Sequence, residues 1–220
     1  AIALDPAFTT PVHEKVQALA WLLRHEINAN RAENAPVKPV LDALAVLEER
    51  TDVDPWRRAF WKTRVYRLVA RREHVLGRDP GPACQNAFDA IHAFGGETPT
   101  EAFMLTEMTL CHFLMACYAL DQGLDAQPHL EAARRANQQA AKSRGTLTPE
   151  IRQLGVDVAL ATIRAAKRPE DIKAETWDGA LALLNPLMAG NTSDPSPYKL
   201  AARIYAQRAL WSQRLGKPNG

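Results

Sequence analysis

Five prolines of this chain follow a residue that caps helices and open a long apolar-periodic run: Thr10-Pro11, Asp54-Pro55, Thr98-Pro99, Thr148-Pro149 and Asp194-Pro195. The side-chain oxygen of the cap accepts a hydrogen bond from a free backbone N–H of the first turn. Proline at the first helical position has no N–H to leave unpaired, and its φ already suits a helix. Thr98 also has Glu101 three residues on, a capping box. Successive pairs are 44, 44, 50 and 46 residues apart. A near-constant interval of that size predicts an array of similar helical units.

Each interval divides in the same way. A long apolar-periodic run follows the cap and closes, in three cases, near a glycine: Gly77, Gly123 and Gly216. Glycine enters the left-handed conformation past a helix end at little cost. A shorter run follows, marked in turn by Leu41, Leu44 and Leu47; by Ala87, Phe88, Ile91 and Phe94; by Leu130, Ala133, Ala136 and Ala140; and by Ala180, Leu183, Leu184 and Leu187. The expectation is about nine helices, five long and four short in alternation, with the last long one lacking a partner. Val65-Tyr66 and Ile204-Tyr205 each stand 11 residues before a Leu-Gly pair followed by a basic residue. Composition agrees: 37 Ala and 25 Leu against 18 Val plus Ile disfavour a sandwich or barrel. A hydrophobic share of 46% with 24% charged residues excludes wholesale disorder.

The helix-turn-helix rhythm, the Ala180…Leu183-Leu184 spacing and the closure Asn191-Thr-Ser-Asp194-Pro195 resemble a tetratricopeptide-repeat or related α-solenoid. The most similar stretch runs from Trp177 to Gly216, and the resemblance covers 10–216, with a longer period than the family's ~34 residues. It implies an all-α, right-handed solenoid of antiparallel helix pairs, a single domain over 1–220. It also implies protein or peptide binding, as the interaction or sensing domain of a larger bacterial regulatory protein.

The helix opened by Asp54-Pro55 carries the candidate site. At 100° per residue Arg57, Arg64, Arg67 and Arg71 fall within about 80° of one another, while Trp56, Phe60, Trp61, Val65, Leu68, Val69 and Leu76 take most of the remaining circumference. Arg203 matches Arg64 when Tyr205 is set on Tyr66. The planar guanidinium fork suits carboxylate or phosphate. A clamp for an acidic peptide or terminal carboxylate is one reading; a charged face paired with acids of a neighbouring helix is the plainer one. A groove sensing a small anion is an alternative. A helical enzyme using Glu107 and His112 as a buried acid–base pair is a third reading. The run from Phe103 to Leu120 is apolar nearly all round and predicts a central, buried helix.

Other chemistries lack their residues. No phosphate-cradling glycine loop, no His-Glu-x-x-His and no Gly-x-Ser-x-Gly elbow occurs. The six histidines include no pair at helical spacing, so no metal, cofactor or catalytic residue is assigned. Trp56-Arg57-Arg58-Ala59-Phe60-Trp61-Lys62 mixes aromatic and basic residues, but their helical spacing reads as packing rather than nucleic-acid stacking. A net charge of +2 gives no general attraction for polyanions. The 13-residue apolar stretch Met108 to Leu120 is short of the ~20 needed to cross a bilayer, so no membrane insertion is expected. Cys84, Cys111 and Cys117 read as buried thiols, which mildly favours a reducing compartment without excluding the periplasm. The chain opens on Ala, so it reads as an excised domain or processed product. Its unpartnered last helix suggests a continuing chain or self-association.

Overall fold

A computed structural model describes residues 11–95, 101–145, 148–166, 168, 171–172, 174–190 and 196–215. Nine α-helices occur among the described residues, with no strand: α1 (Pro11–Asn28), α2 (Val37–Glu49), α3 (Pro55–Val75), α4 (Gly81–Gly95), α5 (Ala102–Asp121), α6 (Gln127–Arg144), α7 (Pro149–Ala165), α8 (Ala174–Gly190) and α9 (Ser196–Arg214). The chain is all-helical, as the proline punctuation and the Ala/Leu composition require.

The caps act where their residues are described. Asp54 Oδ1 accepts from the backbone N–H of Trp56 at 2.7 Å and of Arg57 at 3.3 Å. Thr148 Oγ1 accepts from the N–H of Ile151 at 3.4 Å. Thr98 and its capping box lie outside the described residues; α5 is described from Ala102, with Glu101 at its cap making no side-chain capping bond. Thr10 and Asp194 also lie outside. Gly77 and Gly123 close α3 and α5 at φ of 70° and 69°, and Gly216 is not described. Alternation of length holds only in the first half: α2 and α4 have 13 and 15 residues, but α6 with 18 is longer than α7 with 17. The even helices α4 and α6 have a start signal of their own. Asp79 Oδ1 accepts from the N–H of Gly81 at 2.8 Å, and Asp125 Oδ1 from that of Gln127 at 3.0 Å.

Every substantial helix–helix contact joins elements one or two apart along the chain. Each helix packs on the next, and α1, α3, α5 and α7 form a row in which each touches its successor. The apolar core is a relay. Val16, Leu23, Leu44, Leu47, Val65 and Leu68 gather α1, α2 and α3. Ala70, Cys84, Phe88 and Cys111 gather α3, α4 and α5. Ala116, Leu130 and Ala161 join α5 to α6 and α7. Val156, Ile163, Trp177, Leu184 and Ile204 close α7, α8 and α9. Leu105, Ala140 and Ile151 add a further link between α5, α6 and α7. Each odd helix between the ends therefore serves at least two clusters, which is why its apolar surface spreads round more of its girth than one stripe.

A lateral contact recurs along the row. Arg71 Nη2 on α3 donates to Asn28 Oδ1 at the end of α1, 2.9 Å away, and Arg164 Nη2 on α7 donates to Asp121 Oδ1 at the end of α5, 2.8 Å away. Both pairs are 43 residues apart and join an odd helix to the end of the odd helix before it.

By length and composition α5 is the one described helix apolar enough to cross a membrane. It extends beyond the 13-residue stretch because Glu107 is the only charged residue between its ends. Neighbours α3, α4, α6 and α7 pack against it, and Glu107 is ion-paired within the fold. This is consistent with no membrane insertion. The three cysteines are free, Cys84 and Cys111 buried, and Cys84 Sγ donates to the Cys111 carbonyl oxygen at 3.6 Å.

Candidate functional site

The arginine stripe of α3 meets an acid of α5 and a cation of α1. Arg67 Nε donates to Glu107 Oε2 of α5 in an ion pair that is almost wholly buried, with side-chain exposures of 12% and 5%. Arg67 is thus occupied within the fold, as the plainer reading of the stripe supposes. The other stripe residues differ. Arg64 is half-buried, its guanidinium 5.7 Å from the centre of the Phe60 ring. Arg71 is half-buried and spends one donor on Asn28. Arg57 sits in the first turn of α3. Burial, and then the positive charge of Arg57, hold the His13 imidazole below its ordinary pKa, against a smaller pull from Glu14.

Arg24 of α1 joins Arg64, Arg67 and Arg71 in a group of four. Burial pushes the Arg64 guanidinium below the usual arginine pKa; Glu107 works against that, and Arg67 and Arg24 add to it. Arg71 is lowered by burial, then by Arg67 and Arg24. Arginine stays charged through shifts of this kind. Arg64 and Arg71 thus each feel the charges of Arg67 and Arg24, and the carboxylate that acts on Arg64, Glu107, is already bonded to Arg67. Among the described residues no carboxylate pairs with Arg24, Arg64 or Arg71. Arg24 is exposed and lies 5.8 Å from the ring centre of Trp21, itself 64% exposed. Trp21 and Arg24 thus place an exposed aromatic ring and a cation without a carboxylate partner side by side on α1. Neither residue was visible in the α3 periodicity, since both come from α1. A Trp-x-x-Arg spacing on a neighbouring helix is the signal that could have found them.

The aromatic residues of α3 pack on one another and on α5, with Trp56 left 38% exposed. Phe60 stacks on Phe103 of α5 at 4.4 Å between centroids, Trp56 is 5.2 Å from Phe60, and Trp61 is buried. The aromatic–basic mixture is accordingly a set of packing anchors with a charged edge.

Arg203 is not part of this group. It stands exposed on α9, at a cavity of about 350 Å³ between α5, α7 and α9. Glu107 and His112 are not brought together either. Glu107 turns to Arg67, whereas the His112 ring lies between Phe88 of α4 and His129 of α6, at centroid distances of 4.6 and 5.9 Å. Burial, followed by repulsion from His129 and Arg135, lowers the His112 pKa to about 4. The buried acid–base pair considered from the sequence is therefore not formed, because five residues turn a helix by about 140° and send the two side chains to different neighbours. Among the described residues no group of three or more His, Cys, Asp or Glu side chains could hold a metal ion. No family model, no curated protein and no solved structure matches this chain.

Proposed function

We propose that the chain is a right-handed α-solenoid scaffold, similar in plan to tetratricopeptide arrays, whose α1–α3 face binds an acidic segment of a partner protein. In this reading it is the interaction domain of a larger regulatory protein and carries no catalytic group. The observation that bears the proposal is the charge imbalance at Arg24, Arg64, Arg67, Arg71 and Glu107. Like charges held together cost free energy, and an added anion relieves the cost. The relay of core clusters supports the solenoid plan, since each unit of such an array contacts only its neighbours. Trp21 supplies an apolar anchor beside the cations, which suits a peptide carrying a hydrophobic residue among its acids.

Reversal of Arg67 is the wrong test, because it would set two carboxylates against each other in the buried pair. The suitable variant replaces Arg24, Arg64 and Arg71 by Gln. A fluorescein-labelled peptide of alternating Glu and Leu, followed by anisotropy, binds the native chain with an affinity that falls as salt rises. The triple variant, still helical by circular dichroism, binds it at least tenfold more weakly. Equal affinity of the two proteins contradicts the proposal. Inorganic phosphate or citrate competing as well as the peptide points instead to a small-anion sensor.

A further inference from the structure

The row of odd-numbered helices is closed from α1 to α7, but α7 and α9 make no contact comparable to those between α1 and α3, α3 and α5, or α5 and α7. The 350 Å³ cavity lies in that gap, walled by α5, α7 and α9. It is at the small end of the range for ligand cavities, ~300–1,000 Å³, with room for one compact molecule. Opposite charges line it without meeting. Asp157 of α7 is partly buried and has one hydrogen bond, from Gln153 Nε2 at 3.1 Å to Oδ1. Arg203 of α9 is exposed at the rim. No ion pair joins them or gives either another partner among the described residues. Arg164, the other cation at the cavity, is engaged by Asp121. Gln207 Oε1 is buried there with no hydrogen-bond partner among the described residues. Leu160, Leu200 and Trp211 supply apolar wall.

We propose that this cavity binds a free amino acid with an apolar side chain, its ammonium accepted by Asp157 and Gln207 Oε1 and its carboxylate held by Arg203. The chemistry is restrictive in both directions. A plain amine would satisfy the two acceptors but meet Arg203 as a like charge, and a plain anion would satisfy Arg203 but face Asp157. Only a molecule carrying both charges satisfies the whole lining. Burial pushes the Asp157 carboxyl above the ordinary aspartate range, against the Gln153 hydrogen bond, which is the cost of holding an acceptor without its cation. An amino acid would relieve that cost and fill the gap in the row. This inference rests on a different face from the acidic-peptide reading, and each can fail alone.

Titration calorimetry and thermal shift with L-leucine, L-methionine and L-phenylalanine test it, with N-acetyl-L-leucine and L-leucinamide as blocked probes. At least one of the free amino acids is expected to bind saturably and raise Tm, and both blocked leucines to bind at least tenfold more weakly than L-leucine or not at all. Arg203→Gln abolishes the preference for leucine over leucinamide. Asp157→Asn abolishes the preference for leucine over its N-acetyl form. If Asp157→Asn fails to fold by circular dichroism, Arg203→Gln decides, since that side chain is exposed. No saturable binding of any of the three amino acids overturns the proposal. So does equal binding of the blocked forms, or an Arg203→Gln protein that still rejects leucinamide.

Discussion

Glu107 is the residue on which the basic face turns. A carboxylate on a helix that is otherwise apolar is costly unless a cation meets it, and Arg67 does so with both groups out of water. Removing one member of such a pair strands the other. Glu107→Gln is therefore expected to destabilise the chain by about 3–5 kcal/mol in urea unfolding. A loss under about 1 kcal/mol would show that the pair is not a buried one. His112 gives a second test at this scale. Its folded pKa of about 4 lies below the ordinary 6.5, so the unfolded chain takes up the proton first as pH falls. The stability contributed by the neutral ring is complete above about pH 6.5 and is lost on descent toward pH 4. Allowing for partial exposure, wild type should lose about 2 kcal/mol more than His112→Phe between pH 7.5 and 4.5. Parallel pH profiles for the two proteins would remove His112 as the cause. At this scale the stripe Arg57, Arg64, Arg67 and Arg71 was legible from periodicity, and Glu107 stood out as a lone acid. Their meeting was not legible, because which helix lies beside α3 is a tertiary fact. Arg24 and Asp157 stayed hidden for the same reason.

Among the elements, the punctuation carried most of the information. Asp54 and Thr148 cap α3 and α7 through the hydrogen bonds their residue types predict, and Gly77 and Gly123 take positive φ where the long helices end. Asp54→Ala is expected to cost about 1 kcal/mol by removing an acceptor for two free N–H groups. Gly77→Ala is expected to cost about 1–2 kcal/mol. No atom lies within 4 Å of the added methyl, so the whole penalty is backbone strain. Thermal or urea unfolding of the two variants checks both, and a neutral Gly77→Ala would contradict the left-handed end of α3. The starts of α4 and α6 were not read from the sequence, because Asp79 and Asp125 act two residues ahead of the N–H groups that donate to them. It also drew the even helices too short in the second half, where α6 and α8 have 18 and 17 residues. The exposed polar residues Lys142, Ser143 and Arg144 continue α6 beyond Ala140, the last of its apolar marks.

The whole molecule is ordered by adjacency. Helix follows helix, and each odd helix from α3 to α7 lends its apolar surface to at least two neighbouring clusters. One consequence is that the two ends of the row can hold different chemistry. Near α1 and α3 the lateral contacts leave arginines without acids, and near α7 and α9 they leave a cavity. The interval between cap-proline pairs made the serial plan legible; the handedness and curvature that would turn it into a groove depend on small rotations between neighbours that no single residue encodes. The central claim is that the α1–α3 face, and not the cavity end, receives an acidic segment. Titrating the ¹⁵N-labelled chain with the Glu/Leu peptide and following amide and arginine Nε resonances tests it most directly. The account predicts saturable shifts at Arg24, Arg64, Arg71 and the Trp21 indole, with α8 and α9 unmoved. Shifts confined to α8 and α9, or none at millimolar peptide, would contradict it.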